Sequence, residues 1–396
     1  MNGSLTVSGG GGLSGPGPRT IFPVLMGRRV RLAVMVATLV VAGSGCGPPR
    51  ISGGHSGGRG SPGAPGTPVA ARSDVPEPAT APPLTRQPAG VVVALPGAPE
   101  GLAVDVPDGI LAVGVRRPDG VALVDAATGR ERTLVRLPGA PRHLQLAGPA
   151  GPVLVPAEGA GELFQLALPG GAIVAGTRVG RQPHDAAAAG SMVFVGNEYS
   201  NTVSLVRGGA QVAVEPAPVQ PGGVAAARDG SVGVVVGVRG RRIEAYAADG
   251  RALGTAPCGV GPTHVRAGAN GLFYVADTEG DAVLVFRVSA DGAHQAGPHQ
   301  IGPHQVGSAA TEPGTPYGIA VDGRRGLVYV TLTATDRLES FRIAADGLVP
   351  DQIWPTVRQP NDVAVDEATG RVFVAGTANG QLELIDPGTP ATPVPR

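Results

Sequence analysis

The sequence predicts an all-β protein, a seven-bladed β-propeller of four-stranded antiparallel blades. Three observations predict it. A phrase of Pro followed two residues later by Gly, His or Asp opens a small-residue strand at Pro99, Pro141, Pro183, Pro221, Pro262, Pro316 and Pro360, with spacings of 42, 42, 38, 41, 54 and 44 residues. A period near 40–45 with several short strands per unit is the pattern of propeller blades. Asp-Gly pairs recur at Asp108-Gly109, Asp229-Gly230, Asp249-Gly250, Asp291-Gly292, Asp322-Gly323 and Asp346-Gly347. They supply the positive φ of tight hairpins and read as turns rather than calcium loops. Finally, the last unit stops after Leu382–Ile385 without a fourth strand, while a spare strand, Val91–Leu95, precedes the first unit. That strand is expected to complete the seventh blade, because closure removes both exposed sheet edges.

Residues 1–25 are Gly/Ser-rich and without period, and Met26 is an alternative start. Arg28, Arg29 and Arg31 then precede an apolar run, Leu32–Ala42, of eleven residues. That length is too short to span about 30 Å of hydrocarbon as a helix but fits a signal peptide. Gly43-Ser44-Gly45-Cys46 places small residues before a cysteine. The stretch resembles a bacterial lipobox, with Gly43 where that motif prefers Leu. The resemblance implies lipidation of Cys46 and an anchor at the extracytoplasmic face of the cell membrane; the alternative is plain secretion. Residues 47–88 are Gly, Pro, Ser, Ala and Thr, too poor in apolar groups to bury a core, and read as a tether. Its reach is roughly 35 Å as a coil and up to about 130 Å if stiffened by proline. The propeller is expected over 89–387, with a Pro-rich tail over 388–396.

The first unit predicts strands Leu102–Val106, Ile110–Val115, Val121–Val124 and Thr133–Leu137. Blades converge at the axis, so inner strands need small side chains, as in Asp185–Ala189, Val224–Ala227 and Gly318-Ile319-Ala320. The second and third strands of the later units carry the most characteristic wording: LVYVTLTATDRLESF, LFYVADTEGDAVLVF, RVFVAGTANGQLELI and MVFVGNEYSNTVSLV. These copies resemble the YVTN-type propeller repeat, with Tyr329-Val330-Thr331 matching almost literally. That family implies a seven-bladed ring, often exported, with no single shared activity.

Composition narrows the function. Formal net charge is zero, which removes the electrostatic case for nucleic acid. No lysine occurs, which excludes a P-loop lysine, a Schiff-base lysine and a Ser-x-x-Lys pair. Aromatics make up 3%, too few for stacking platforms, and no cofactor is expected. Cys258 is the one cysteine besides Cys46, so no structural disulfide is expected, and it reads as a small buried hydrophobe. A monomer is expected.

In an up-and-down blade, the loop entering the inner strand and the loop between the second and third strands share one end. The Pro phrases therefore ring one channel mouth with Glu100, Arg142, His143, His184, Asp185, His264, Tyr317, Asn361 and Asp362. The second set of loops adds Glu198, with Arg116, Arg117, Glu158, Asn197, Arg239, Arg241, Asp277, Glu279 and Asp336. Polar groups so gathered define a binding mouth, whose ligand is a small molecule, an envelope polymer or a protein. Taken singly, each residue is as readily a cap for its own loop. Pro141-Arg142-His143 also resembles the opening of a blade in the lactonase propellers that include 6-phosphogluconolactonases, where a Glu follows between the second and third strands. That resemblance implies Arg142, His143 and Glu158 as catalytic candidates: a base to activate water and an Arg for the oxyanion. No metal site is assigned. His299 and His304 belong to GPHQIGPHQV, a five-residue phrase written twice, with His294 just before it; the stretch reads as a slipped duplication in a loop between blades 5 and 6. His184, Asp185, His143 and His264 are the better metal candidates, since they share a mouth.

Overall fold

The computed structural model describes residues 76–289, 301–345 and 347–393. The signal-peptide stretch, Cys46, most of the tether, His294, His299, Asp291-Gly292 and Asp346 lie outside the described residues. The repeat unit, 69–396, forms seven antiparallel sheets. Blades 1 to 6 span 98–136, 145–178, 183–216, 221–257, 262–310 and 316–355, and blade 7 spans 360–385. The first blade has strands Ala98–Asp105, Ile110–Arg116, Gly120–Asp125 and Glu131–Arg136, within a few residues of those expected.

The seventh blade is completed from the other end of the chain. Val91–Ala94 pairs antiparallel with Gln381–Ile385, in the register Val91↔Leu384, Val92↔Glu383, Val93↔Leu382 and Ala94↔Gln381. The buried carboxylate of Glu383 fastens this junction, accepting from the Gly90 N–H at 2.7 Å and the Val357 N–H at 2.9 Å. Burial pushes that carboxyl up to about 7, against the downward pull of the N–H donors.

Inner and middle strands are buried almost throughout, whereas outer strands such as Ala210–Pro216 alternate between half-buried and exposed. The core is therefore a set of seams between facing sheets. Phe273 and Phe286 of blade 5 pack against Val234, Val236 and Ile243 of blade 4. The closing seam is built the same way, with Phe373, Leu382 and Leu384 against Leu111, Val113 and Val124, and with Val93 beside them. Cys258 is buried in one such seam, and burial pushes its thiol far above the usual range.

Three details differ from the sequence reading. The second copy of the duplicated phrase, 302–306, opens the outer strand of blade 5, Gly302–Ala310, so the duplication lies within that blade and not between blades 5 and 6. Outer strands need little burial, and this phrase satisfies the ladder through its backbone. Asp322-Gly323 is not a hairpin of the Asp-Gly kind: the Asp322 carboxylate accepts from Arg324 and Arg325 N–H groups, and Gly326 takes the positive φ of 65°. Thr392–Pro393, in the stretch read as a tail, adds a short fifth strand to blade 6. The end of the tether stretch also touches the ring, where Arg358 donates to the Ala81 carbonyl at 2.7 Å and Ala79 N–H donates to Thr333 at 3.0 Å.

Candidate functional site

The Pro phrases place the site. In every blade but the second, the ladder between inner and second strand slips at the proline, as between Pro99 and Leu102 or between Pro183 and Asp185. Proline offers no N–H to the ladder, and the resulting bulge re-aims the residues that follow. In blade 2 only Gln145–Leu146 pairs, beyond a single Pro141↔Ala157 bridge. The third positions read Gly101, His143, Asp185, Gly223, His264, Gly318 and Asp362 around the ring. Glycine there is a matter of space. A Cβ on Gly101 would lie 2.8 Å from the His143 Cα, and one on Gly318 would lie 2.7 Å from the Asp362 Cα.

The two aspartates tie neighbouring blades together. Asp185 Oδ2 accepts the Val224 N–H at 3.0 Å, and its Oδ1 accepts from Gln145 Nε2 at 2.9 Å. Asp362 Oδ2 accepts the Leu102 N–H at 2.9 Å. Burial pushes the Asp362 carboxyl up to about 7, with Arg266 opposing. On the same rim Asn361 donates to Glu100 at 3.3 Å, and Arg116 spans Glu100 at 3.6 Å and Glu158 at 2.6 Å.

Three imidazoles meet beside them. The His143 ring centroid is 4.0 Å from that of His264 and 5.0 Å from that of His184. One ring nitrogen from each lies within 4.8 Å of the others. His264 Nδ1 faces the Tyr317 carbonyl at 3.0 Å, and His184 Nδ1 faces Glu198 at 3.3 Å and Glu158 at 3.7 Å. His143 is fully buried, with neither ring nitrogen hydrogen-bonded; the Asp362 carboxylate lies 3.9 Å from Nδ1. Burial, reinforced by the neighbouring imidazoles and arginines, holds His143 and His264 well below the usual histidine range, so both are neutral. Arg142 donates to the Tyr317 hydroxyl at 3.2 Å, with Glu77 and Glu158 at 3.8 and 3.9 Å. Burial pushes the Tyr317 hydroxyl up to about 12.

Of the ten residues expected at the mouth, Arg142 and Glu198 are half-buried and the other eight are buried. The wider loop set does not all join them. Asp277 caps Val260 and Gly261, Asp336 caps Gln359, Asn197 serves Thr202 and Ser204, and Arg241 pairs with Glu279 at 3.5 Å. These are the loop caps that carboxylates and amides at turns ordinarily supply. Three participants escaped the sequence reading. Gln145 and Arg266 stand two residues beyond His143 and His264, and a strand's period of two puts them on the same face. Glu77 comes from the tether stretch, where no periodic signal marks it.

No family model and no curated protein matches the chain. Solved structures do. A Kuenenia stuttgartiensis hydrazine synthase chain aligns with TM-score 0.57 at 16% identity, over 76% of this chain and 98% of its own. The Swd1 propeller domain of Myceliophthora thermophila Cps50 gives 0.63 at 12%, over 75% and 100%. A virginiamycin B lyase from Staphylococcus aureus gives 0.60 at 12%, over 74% and 98%. At these identities the likeness is one of fold: the chain is a seven-bladed β-propeller.

Proposed function

We propose that the protein is an exported, lipid-anchored propeller of the YVTN type that binds a polar ligand at this mouth without transforming it. One observation carries the reading. Around the rim, Arg116 Nε, Arg142 Nε, both His143 nitrogens and Asn361 Oδ1 are buried without a hydrogen-bond partner. Each such atom costs about 1–3 kcal/mol, a cost that a ligand with matching donors and acceptors removes. Donors and acceptors alternate here, which suits sugar acids, envelope polysaccharide fragments or a peptide loop more than an apolar molecule. Native mass spectrometry and thermal shift against those three ligand classes test it. Saturable binding that Arg142→Ala abolishes supports the reading; binding indifferent to Arg142→Ala contradicts it. For the anchor, Cys46→Ser is expected to release protein into the medium, and retention on the membrane contradicts lipidation.

A second reading is lactone hydrolysis. What favours it is the convergence of Arg116, Arg142 and His184 on Glu158. In this arrangement His184, rather than the deeply buried His143, stands beside Glu158 as partner in activating water. One of the similar structures is a streptogramin B lyase, with TM-score 0.61 at 11% identity, over 76% of this chain and 97% of its own. Hydrolysis of a lactone panel that Glu158→Gln lowers at least about 100-fold would favour this reading, and no turnover above buffer would remove it.

A further inference from the structure

We propose that His143, His184 and His264 form a three-imidazole site for a divalent transition cation of the Co2+ to Zn2+ range. The three side chains come from the inner-strand entries of blades 2, 3 and 5, and one ring nitrogen from each lies within 4.8 Å of the others. None of the three is exposed by more than 6%.

The outward-facing partners are those a ligating imidazole needs. His184 Nδ1 points to the Glu198 carboxylate, and His264 Nδ1 points to the Tyr317 carbonyl. Each acceptor holds a proton on Nδ1 and leaves the Nε2 lone pair free. His143 Nδ1 lies 3.9 Å from the Asp362 carboxylate, beyond hydrogen-bond reach, so the third ring has no such partner. The carboxylate behind His184 and the carbonyl behind His264 are the kind of outer shell that fixes ring orientation in metal sites.

The second observation is His143 itself. It is fully buried, and both of its nitrogens lack a partner. A histidine kept only for packing would find a hydrogen bond. A cation bound between the three rings supplies a partner to one of the His143 nitrogens. The donor set also fixes the class of ion. Three imidazole nitrogens suit Co2+, Ni2+, Cu2+ and Zn2+, whereas Mg2+ and Ca2+ require oxygen. Asp185 stays outside the set, because its oxygens are taken by Val224, Gln145 and Arg266. Glu158 and Glu198 border His184 on its other side.

The site stands whether or not the mouth captures an external ligand. The test uses the full chain, stripped with chelator and dialysed against Zn2+, Co2+ or Mg2+. Metal content is read by mass spectrometry, affinity by calorimetry, and coordination by the visible bands of Co2+. One equivalent of Zn2+ or Co2+ per chain is expected, with Mg2+ not retained. Zn2+ in hundredfold excess over its Kd is expected to raise Tm by about 5 °C. His184→Ala and His264→Gln are each expected to weaken binding at least about 100-fold, and Glu198→Gln by 10–100-fold, as loss of an outer-shell partner does. A variant with His294, His299 and His304 all changed to Ala keeps the equivalent, which separates this site from the duplicated phrase. The proposal is overturned by no retained metal, by binding lost in that triple variant but kept in His184→Ala and His264→Gln, or by equal retention of Mg2+. If His184→Ala does not fold, His264→Gln, Glu198→Gln and the triple variant decide. Metal retained with no ligand captured would leave this site standing and remove the binding reading alone.

Discussion

Replacing Glu383 by Gln probes the junction that closes the ring. The carboxylate is fully buried and holds Gly90 and Val357 by their N–H groups. Burial raises its carboxyl from an ordinary 4.5 to about 7. A folded-state pKa above the unfolded one means that the fold binds the proton more tightly. The group's contribution is therefore fully present below pH 4.5 and is lost as pH rises through 7. The difference is worth about 3 kcal/mol across that window. Gln is neutral at every pH, so the variant lacks this slope. It also offers one acceptor where the carboxylate offers two, leaving one backbone N–H unpaired at about 1–3 kcal/mol. The variant is thus expected to be less stable than the parent at pH 5 and equal or more stable at pH 8. Denaturation midpoints of both proteins between pH 4.5 and 8 measure this crossing. A difference between them that stays constant over the range would refute the reasoning.

Further expectations can be measured on the same protein. Gly101→Val drives a side chain against the backbone of His143 and Leu144; a loss of at least 2 kcal/mol is expected by denaturant titration, since backbone cannot give way as a side-chain tip can. Leu382→Ala empties part of the closing seam and is expected to cost 2–5 kcal/mol in the same titration. Glu77→Ala removes a half-exposed partner of Arg142; Tm should hold, because an exposed ion pair is worth at most about 1 kcal/mol, as a thermal melt will show. Cys258 is expected to resist thiol reagents in the folded protein and to react on unfolding, as followed by mass shift.

Much of this architecture is readable from residues that act locally. Pro99, Pro141 and their repeats mark strand entries because proline withholds an N–H from any ladder, and Val91–Ala94 stands out as a strand without a blade. The rim could be read too, because topology alone sends every inner-strand entry to one end. What could not be read is which rim residues bond to the fold and which remain unbonded. Asp185 and His143 occupy equivalent third positions, yet the Asp185 carboxylate is consumed by Val224 and Gln145 while neither ring nitrogen of His143 has a hydrogen bond. That distinction depends on distances across blades. Position 318 illustrates the same limit: its smallness is legible as an inner-strand need, but not that it makes room for the Asp362 backbone. The Asp322 turn shows a motif overridden by its setting, with Gly326 and not Gly323 in the left-handed region.

Everything at the rim depends on the ring being closed in the register observed. Oxidation of paired cysteines across the junction measures this directly. Ala94 stands opposite Gln381, whereas Val91 stands opposite Leu384. In a Cys258→Ser background, Ala94→Cys with Gln381→Cys is predicted to form a disulfide readily, and Val91→Cys with Gln381→Cys is predicted not to. Equal cross-linking of the two pairs, or none of the first, would contradict the closed seven-bladed ring.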